Sequence, residues 1–147
     1  MKKWMIPVLA IMLLLVGCAG QGAGGEAAVS RNKWGVALTA ENVTPVSLSL
    51  ACDHSGGENV AELNTGSYYV IQQKDGDDWK DLPGQEGIMW TMEAWVIQKN
   101  AATRWDVRWD WLGELPAGEY RIGKKIMNFR GTGDYDEEMA YAEFAIP

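Results

Sequence analysis

Beyond residue 30, apolar and polar residues alternate with a period of two, a pattern that predicts half-buried β-strands rather than helices. Two such runs open this part of the chain, and a cluster of turn residues from Glu41 to Pro45 separates them. The apolar residues that would share one face are Trp34, Val36, Leu38 and Ala40 in the first run, and Val46, Leu48, Leu50 and Cys52 in the second. Cys52 is therefore predicted to be a small buried hydrophobe rather than a reactive thiol.

The next signals predict a β-hairpin. A polar loop covers residues 53–59, and a β-rich run then extends from Thr65 to Lys74. The Asp-Gly-Asp-Asp sequence at 75–78 turns this run, and residues 79–82 return beside it. A further apolar stretch runs from Ile88 to Ile97.

The clearest strand pattern is in residues 103–112. Its predicted buried face carries Trp105, Val107, Trp109 and Trp111, and its polar face carries Asp106, Arg108 and Asp110. A short strand at 119–122, a polar loop at 130–138 and a last strand at 140–146 complete the chain; the residues that share a face of the last strand are Ala140, Ala142, Phe144 and Ile146. The chain has no long segment with a helical period, so we predict an all-β antiparallel sandwich of about seven to nine strands.

The N-terminus follows a different pattern. Lys2 and Lys3 precede an uncharged segment from Trp4 to Val16, which has the length of the apolar region of a secretory signal. It is shorter than the roughly 20 apolar residues that a membrane-spanning helix needs. The residues that end it, 15–18 (Leu-Val-Gly-Cys), resemble the lipobox of bacterial lipoproteins. The alternative is an ordinary secretory leader in which Cys18 is incidental.

The lipobox resemblance implies a division of the chain into three parts. Residues 1–17 would be a cleaved signal peptide, and Cys18 would become the first residue and carry a lipid with acyl chains such as palmitate. Residues 18–30 are rich in Gly and Ala and are predicted to form a flexible tether that reaches roughly 20 Å. Residues 31–147 would then form one domain outside the cytoplasm, anchored to the cell membrane.

The charge balance restricts the class of partner. The whole chain has a formal net charge of −7, and the predicted leader contains two of its 13 Lys and Arg residues but none of its 20 Asp and Glu residues. The mature protein would thus be still more acidic, which disfavours nucleic acid as a partner. Acylation of Cys18 would leave Cys52 as the remaining cysteine, so no intramolecular disulfide is predicted.

The sequence Pro-Ala-Gly-Glu-Tyr at 116–120 is the most diagnostic internal motif. Pro116, Gly118 and Tyr120 resemble the tyrosine corner of Ig-like and fibronectin-like sandwiches, in which the hydroxyl bonds to upstream backbone. The wider pattern resembles the bacterial Ig-like domains of small surface lipoproteins, in the stretches 35–45, 69–71, 93–97 and 120–135. The resemblance implies an immunoglobulin-like sandwich and no enzymatic activity.

The pattern departs from antibody-type domains at one informative position. Ile122 lies two residues after Tyr120, where such domains have their second cysteine. The inter-sheet disulfide is therefore absent, and we expect packing of Trp105, Trp109 and Trp111 to compensate for it.

No motif predicts catalysis, a cofactor or a metal centre. His54 is the single histidine and lies two residues from Cys52, so the pair could share a strand face, with His54 near the rim; this is a weak candidate for a Cys–His site. Acidic residues cluster in two places that could in principle bind calcium, but without EF-hand spacing: Asp75, Asp77 and Asp78, and Asp134, Asp136, Glu137 and Glu138. We interpret both clusters as solvated surface.

Residues 128–139 are the best candidate contact surface, because loops on a rigid scaffold often carry function. The residues singled out there are Arg130, Asp134, Tyr135 and Asp136. The leading hypothesis is a membrane-anchored, non-catalytic module for protein interaction or adhesion, with another envelope protein as partner. The alternative is a glycan-binding envelope module that uses an exposed stacking platform, for which the candidates are Trp79, Trp90 and Trp95.

Overall fold

A computed structural model describes residues 29–147 as two antiparallel β-sheets packed face to face. The predicted signal peptide, Cys18 and the tether as far as residue 28 lie outside the described residues. The strands are β1 (Val36–Thr44), β2 (Ser47–His54), β3 (Glu62–Thr65), β4 (Val70–Asp75), β5 (Asp78–Asp81), β6 (Trp95–Val96), β7 (Ala102–Arg108), β8 (Gly118–Gly131) and β9 (Asp134–Ile146). The predicted all-β sandwich is confirmed, and its nine described strands lie within the expected number.

The smaller sheet has the order β1-β2-β7, and the larger sheet is built around β8. Strand β9 pairs with one edge of β8 along almost its whole length. Strands β4 and β3 share the other edge of β8, and they pair in turn with β5 and β6. Each sheet directs its apolar residues into the space between the two sheets, which is the core.

The predicted turn at residues 41–45 begins too early. Strand β1 continues to Thr44, and the turn consists of Pro45 and Val46, so Val46 is not a strand residue. Asn42 has a φ of 50°, and the pairing register shifts between Glu41 and Thr44, which marks a β-bulge. Asn tolerates this left-handed conformation better than most residues, so a residue that is typical of turns can occupy a bulge inside a strand.

The single strand predicted at 65–74 is also wrong, because the chain leaves the sheet between Thr65 and Val70. At the end of β3, the hydroxyl of Thr65 donates to the carbonyl of Lys125 in the neighbouring strand β8 at 2.7 Å. Strand β3 begins at Glu62, before the predicted run. The predicted hairpin that follows is confirmed, and Gly76 opens its turn with a φ of 64°.

Two apolar segments form little or only part of a strand. Within 88–97 only Trp95 and Val96 pair with another strand. Strand β7 ends at Arg108, and residues 110–112 form a turn of 3₁₀ helix. This turn rotates Trp111 out of the predicted buried face, and its side chain is 42% exposed.

The polar loop predicted at 130–138 is instead the end of a long hairpin. Strand β8 runs to Gly131 and β9 begins at Asp134, so Thr132 and Gly133 alone make the connection. Residues 134–137 are all exposed although they lie in a strand. A strand end with two wet faces has no apolar alternation, which is why the sequence pattern predicts a loop there.

The core is centred on three stacked aromatic rings. The ring centroids of Trp109 and Phe144 are 5.9 Å apart, and those of Phe144 and Tyr120 are 5.6 Å apart. Trp109 and Tyr120 are completely buried, and their polar atoms are satisfied: Trp109 Nε1 donates to the carbonyl of Pro45 and the Tyr120 hydroxyl donates to that of Pro116, both at 2.8 Å. The second of these bonds has the geometry of a tyrosine corner.

Cys52 is a free, buried thiol, and Ile122 is completely buried in the position where a second cysteine would stand. Of the three tryptophans expected to compensate for a disulfide, Trp109 lies at the centre of the core and Trp105 packs against its edge. The exposed Trp111 does not have that role.

Candidate interaction surface at the hairpin tip

The end of the β8–β9 hairpin, residues 128–139, is called here the hairpin tip. Three of the predicted contact residues come together in it as one charge cluster. The Arg130 guanidinium donates from Nε to Asp134 at 2.9 Å and from Nη1 to Asp136 at 2.8 Å. These two carboxylates raise the pKa of Arg130 above its usual range. The cluster fixes the positions of charged groups on both sides of the turn.

Tyr135 is the fourth predicted residue, and it lies apart from the charge cluster. It occupies the position between Asp134 and Asp136, so its side chain points to the other face of the hairpin, opposite Phe129. It is 48% exposed. The hairpin tip therefore presents an ion-paired face and an aromatic face on paired strands rather than on a loop.

The hairpin tip is attached to the loop before β3 through Asn128. This completely buried side chain accepts a hydrogen bond from the amide of Ala61 at 2.8 Å and donates one to the carbonyl of Asn59 at 2.9 Å. A cleft of about 310 Å³ lies beside it, lined in part by Trp34 and Arg130. Sequence reasoning did not identify the role of Asn128, although a polar residue in an inward position of β8 is a signal for one.

The weak Cys–His candidate is buried. Cys52 and His54 both point inward from β2, and His54 is 3% exposed rather than near the rim. Burial raises the pKa of the Cys52 thiol to about 11 and lowers that of His54. Among the described residues, neither ring nitrogen of His54 has a hydrogen-bond partner. A thiol that stays protonated and has no base bonded to it is not an activated nucleophile.

A buried lysine lies in the core near this pair, at a position that was not among the predicted site residues. Lys124 is 1% exposed, and its ammonium donates to the carbonyl of Gly66. The same nitrogen lies 4.9 Å from the ring centre of Trp95 and 5.4 Å from that of Trp105, two rings that stack on each other. Burial lowers the pKa of Lys124 to about 8. Its signal in the sequence is a charged residue at an inward position of β8, between the inward apolar residues Ile122 and Ile126.

Several acids of the two acidic clusters form ion pairs with neighbouring cations. Asp75 bonds to Lys80 across the β4–β5 hairpin, and Lys80 lowers the pKa of Asp75. Glu137 lies 3.2 Å from Lys125, and Arg130 holds two further acids of the second cluster. Within residues 29–147, no three His, Cys, Asp or Glu side chains are grouped so as to hold a metal ion.

The three tryptophans proposed as a stacking platform are all half-buried against other side chains. The Arg121 guanidinium lies 4.7 Å from the ring centre of Trp79. Trp90 packs edge-on against Tyr69, with ring centroids 4.7 Å apart, and Trp95 stacks on Trp105. These rings lie in three separate packing arrangements and do not form one flat, exposed surface.

Comparisons with known proteins give one match. The sequence profile of the family described as "Bacterial Ig-like domain" matches residues 32–145, which is most of the chain. Searches of curated proteins and of solved structures give no significant match. In the part of the chain that the structure describes, no helix is long and apolar enough to cross a membrane.

The buried lysine makes a prediction about stability and pH. Between pH of about 8 and 10.5 the Lys124 amine is neutral in the folded protein and charged in the unfolded chain. The unfolded chain then binds more protons, so the free energy of unfolding rises with pH. We expect the stability of the wild type relative to Lys124→Met to increase through this range by at most roughly 3 kcal/mol, at about 1.4 kcal/mol per pKa unit.

Urea denaturation at a series of pH values measures this difference. Cys52 is present in both proteins, so its opposite contribution above pH 9 largely cancels. Lys125→Met is the matched control, because the Lys125 side chain lies on the exposed face of the same strand. A constant difference between the wild type and Lys124→Met across this range would contradict the assignment.

Proposed function

The chain belongs to the bacterial Ig-like domain family, and we propose that it is a non-catalytic module for protein interaction or adhesion. We propose further that it lies outside the cytoplasm and is anchored to the cell membrane by lipid on Cys18. The support for this location is the leader pattern, with two lysines, an uncharged apolar segment and the lipobox-like residues 15–18. Two acyl chains suffice for a stable anchor, and each buried methylene contributes about 0.8 kcal/mol.

The observation that carries the interaction function is the hairpin tip. Tyr135 is half exposed on paired backbone, and Arg130 is held in place by two carboxylates. Tyr and Arg are enriched among the residues that dominate binding energy at protein interfaces. Side chains and backbone that are already ordered lose less conformational freedom on binding, so the net affinity is higher. The tip is therefore suited to contact a partner protein.

The anchor is tested by Cys18→Ser, which removes the acceptor thiol but keeps the size of the side chain. We expect the wild type in the membrane fraction, with a mature N-terminus at residue 18 and the mass of an attached lipid. The Cys18→Ser variant should be absent from the membrane fraction. Cys52→Ser is the matched control and should remain with the membrane. A soluble wild type cleaved at another position would instead support an ordinary secretory leader, and membrane retention of Cys18→Ser would contradict the proposal.

The contact surface is tested by affinity capture from envelope extracts with the full lipidated chain. Tyr135→Ala and Arg130→Ala should each reduce recovery of the same partner by about fivefold or more, as expected for a residue that contributes at least 1 kcal/mol at an interface. Lys80→Ala is the matched control, because it removes an exposed ion pair between the strands of a different hairpin.

Equal recovery of every captured protein by the wild type and both tip variants would contradict this surface. Capture of polysaccharide in place of protein would support the glycan-binding alternative.

A further inference from the structure

Strand β9 has one edge that is free of strand partners in residues 29–147. Its 13 residues pair with β8 alone. Strand β1, at the edge of the smaller sheet, pairs with β2 along its length and, at Ala37, with Arg31 of the segment that precedes it. The two strands lie beside each other at the open side of the sandwich, and a groove of about 480 Å³ runs between them. An unpaired strand edge presents a row of backbone N–H and C=O groups that can accept another strand.

Small apolar side chains form the floor of this groove. Leu38 of β1 and Ala140 and Ala142 of β9 line it, and all three are buried. Residues 29–32, which precede β1, also line the groove. Glu138 belongs to the same row, because residues two apart in a strand project from one face. Along β9, this row therefore consists of an acidic residue, Glu138, followed at alternate positions by two alanines.

Glu138 is the unsatisfied group in this row. Its Oε2 atom is buried and accepts no hydrogen bond from any described residue. The nearest cation, Lys33 Nζ, is 3.8 Å away, longer than a hydrogen bond. Glu143 also lines the groove and forms no ion pair within residues 29–147. A buried carboxylate oxygen without a donor favours an incoming cation.

The cations that line the groove are already engaged. Arg121 lies 3.9 Å from the ring centre of Tyr141 and donates to Gln72 at 2.6 Å. Arg31 pairs with Asp53 at 2.7 Å. In the groove, Glu143 therefore has no ion-pair partner within residues 29–147, and Glu138 has only the long ion pair with Lys33.

We propose that the free edge of β9 is a strand-addition site for an extended, basic segment of a partner protein. This inference rests on the proposed interaction function and names the partner's chemistry. The added strand takes its affinity from backbone hydrogen bonds and its specificity from alternate side chains. The groove selects a Lys or Arg opposite Glu138, and larger apolar side chains opposite Ala140 and Ala142.

A second copy of this chain is the less suitable occupant. β9 carries five acidic residues, Asp134, Asp136, Glu137, Glu138 and Glu143, and no basic residue. Pairing of two β9 edges would bring these like charges together, which destabilises a sheet.

The test uses a short peptide, blocked at both ends, with Lys, Val and Val at alternate positions and Thr between them. Its matched control has Glu in place of Lys. Titration with the full chain gives the affinity, and amide hydrogen exchange identifies the edge that is used. We expect saturable binding of the Lys peptide, weaker binding of the Glu peptide, and slowed exchange at alternate amides of β9.

Glu138→Gln keeps the shape of the side chain and removes its charge. It should weaken binding of the Lys peptide about threefold to fivefold, the range for a partly exposed ion pair. Glu119→Gln is the control, because that acid lies on β8, outside the groove, and pairs with Lys74 at 3.3 Å. It should leave the affinity unchanged.

Four results would overturn the inference: no saturable binding of the Lys peptide, equal affinity for both peptides, slowed exchange confined to β5, or self-association of the chain through β9. If one of these occurs while capture of a partner still depends on Tyr135, the proposed function stands and the β9 site alone fails.

Discussion

The fold depends on three stacked aromatic rings that join the two sheets without a covalent link. Trp109 follows the last strand of the smaller sheet, whereas Tyr120 and Phe144 belong to neighbouring strands of the larger one. Burial of each such ring contributes roughly 1.5–3 kcal/mol, and an aromatic pair adds about 0.5–1.5 kcal/mol beyond its buried area. Together these contributions exceed the roughly 2–4 kcal/mol that a disulfide typically supplies. The free thiol of Cys52 is therefore compatible with a stable sandwich.

The same two strands connect the core to the surface proposed for binding. Tyr120 and Phe144 are paired near one end of the β8–β9 hairpin, and Asn128 and Asp136 are paired near the other. The eight residue-to-residue steps from Tyr120 to Asn128 along β8 span roughly 26 Å. Because the core fixes one end and Asn128 ties the other to the loop before β3, the hairpin holds both the tip and the free β9 edge in defined positions. Contact function thus depends on packing far from the contact residues.

The sequence predicted the structure best where one face of a strand is buried and the other is wet. In β2 the inward row of Leu48, Leu50 and Cys52 follows from alternation alone, and all three are buried. Prediction was wrong at residues 134–137, which are exposed on both faces of the strand, and at Trp111, where a 3₁₀ turn changes the direction of the side chain. The alternation of apolar and polar residues along one strand does not indicate which residues of the other strands pack against it across the core.

That limit explains what was missed in the candidate sites. The environment of Lys124 is formed by Gly66, Trp95 and Trp105, which come from three different parts of the chain. The free edge of β9 is likewise a property of strand order, which the sequence does not display. The residue types at the hairpin tip were identified from the sequence, but their arrangement on paired strands was not.

The most direct test of this account is a double-mutant cycle between Trp109 and Phe144. Trp109→Leu, Phe144→Leu and the double variant are compared with the wild type by urea denaturation. We expect a coupling energy of about 0.5–1.5 kcal/mol, since each ring is stacked on the other in the core. A coupling energy near zero, with the two losses simply additive, would show that the rings are buried independently and would contradict the claim that their stacking joins the sheets.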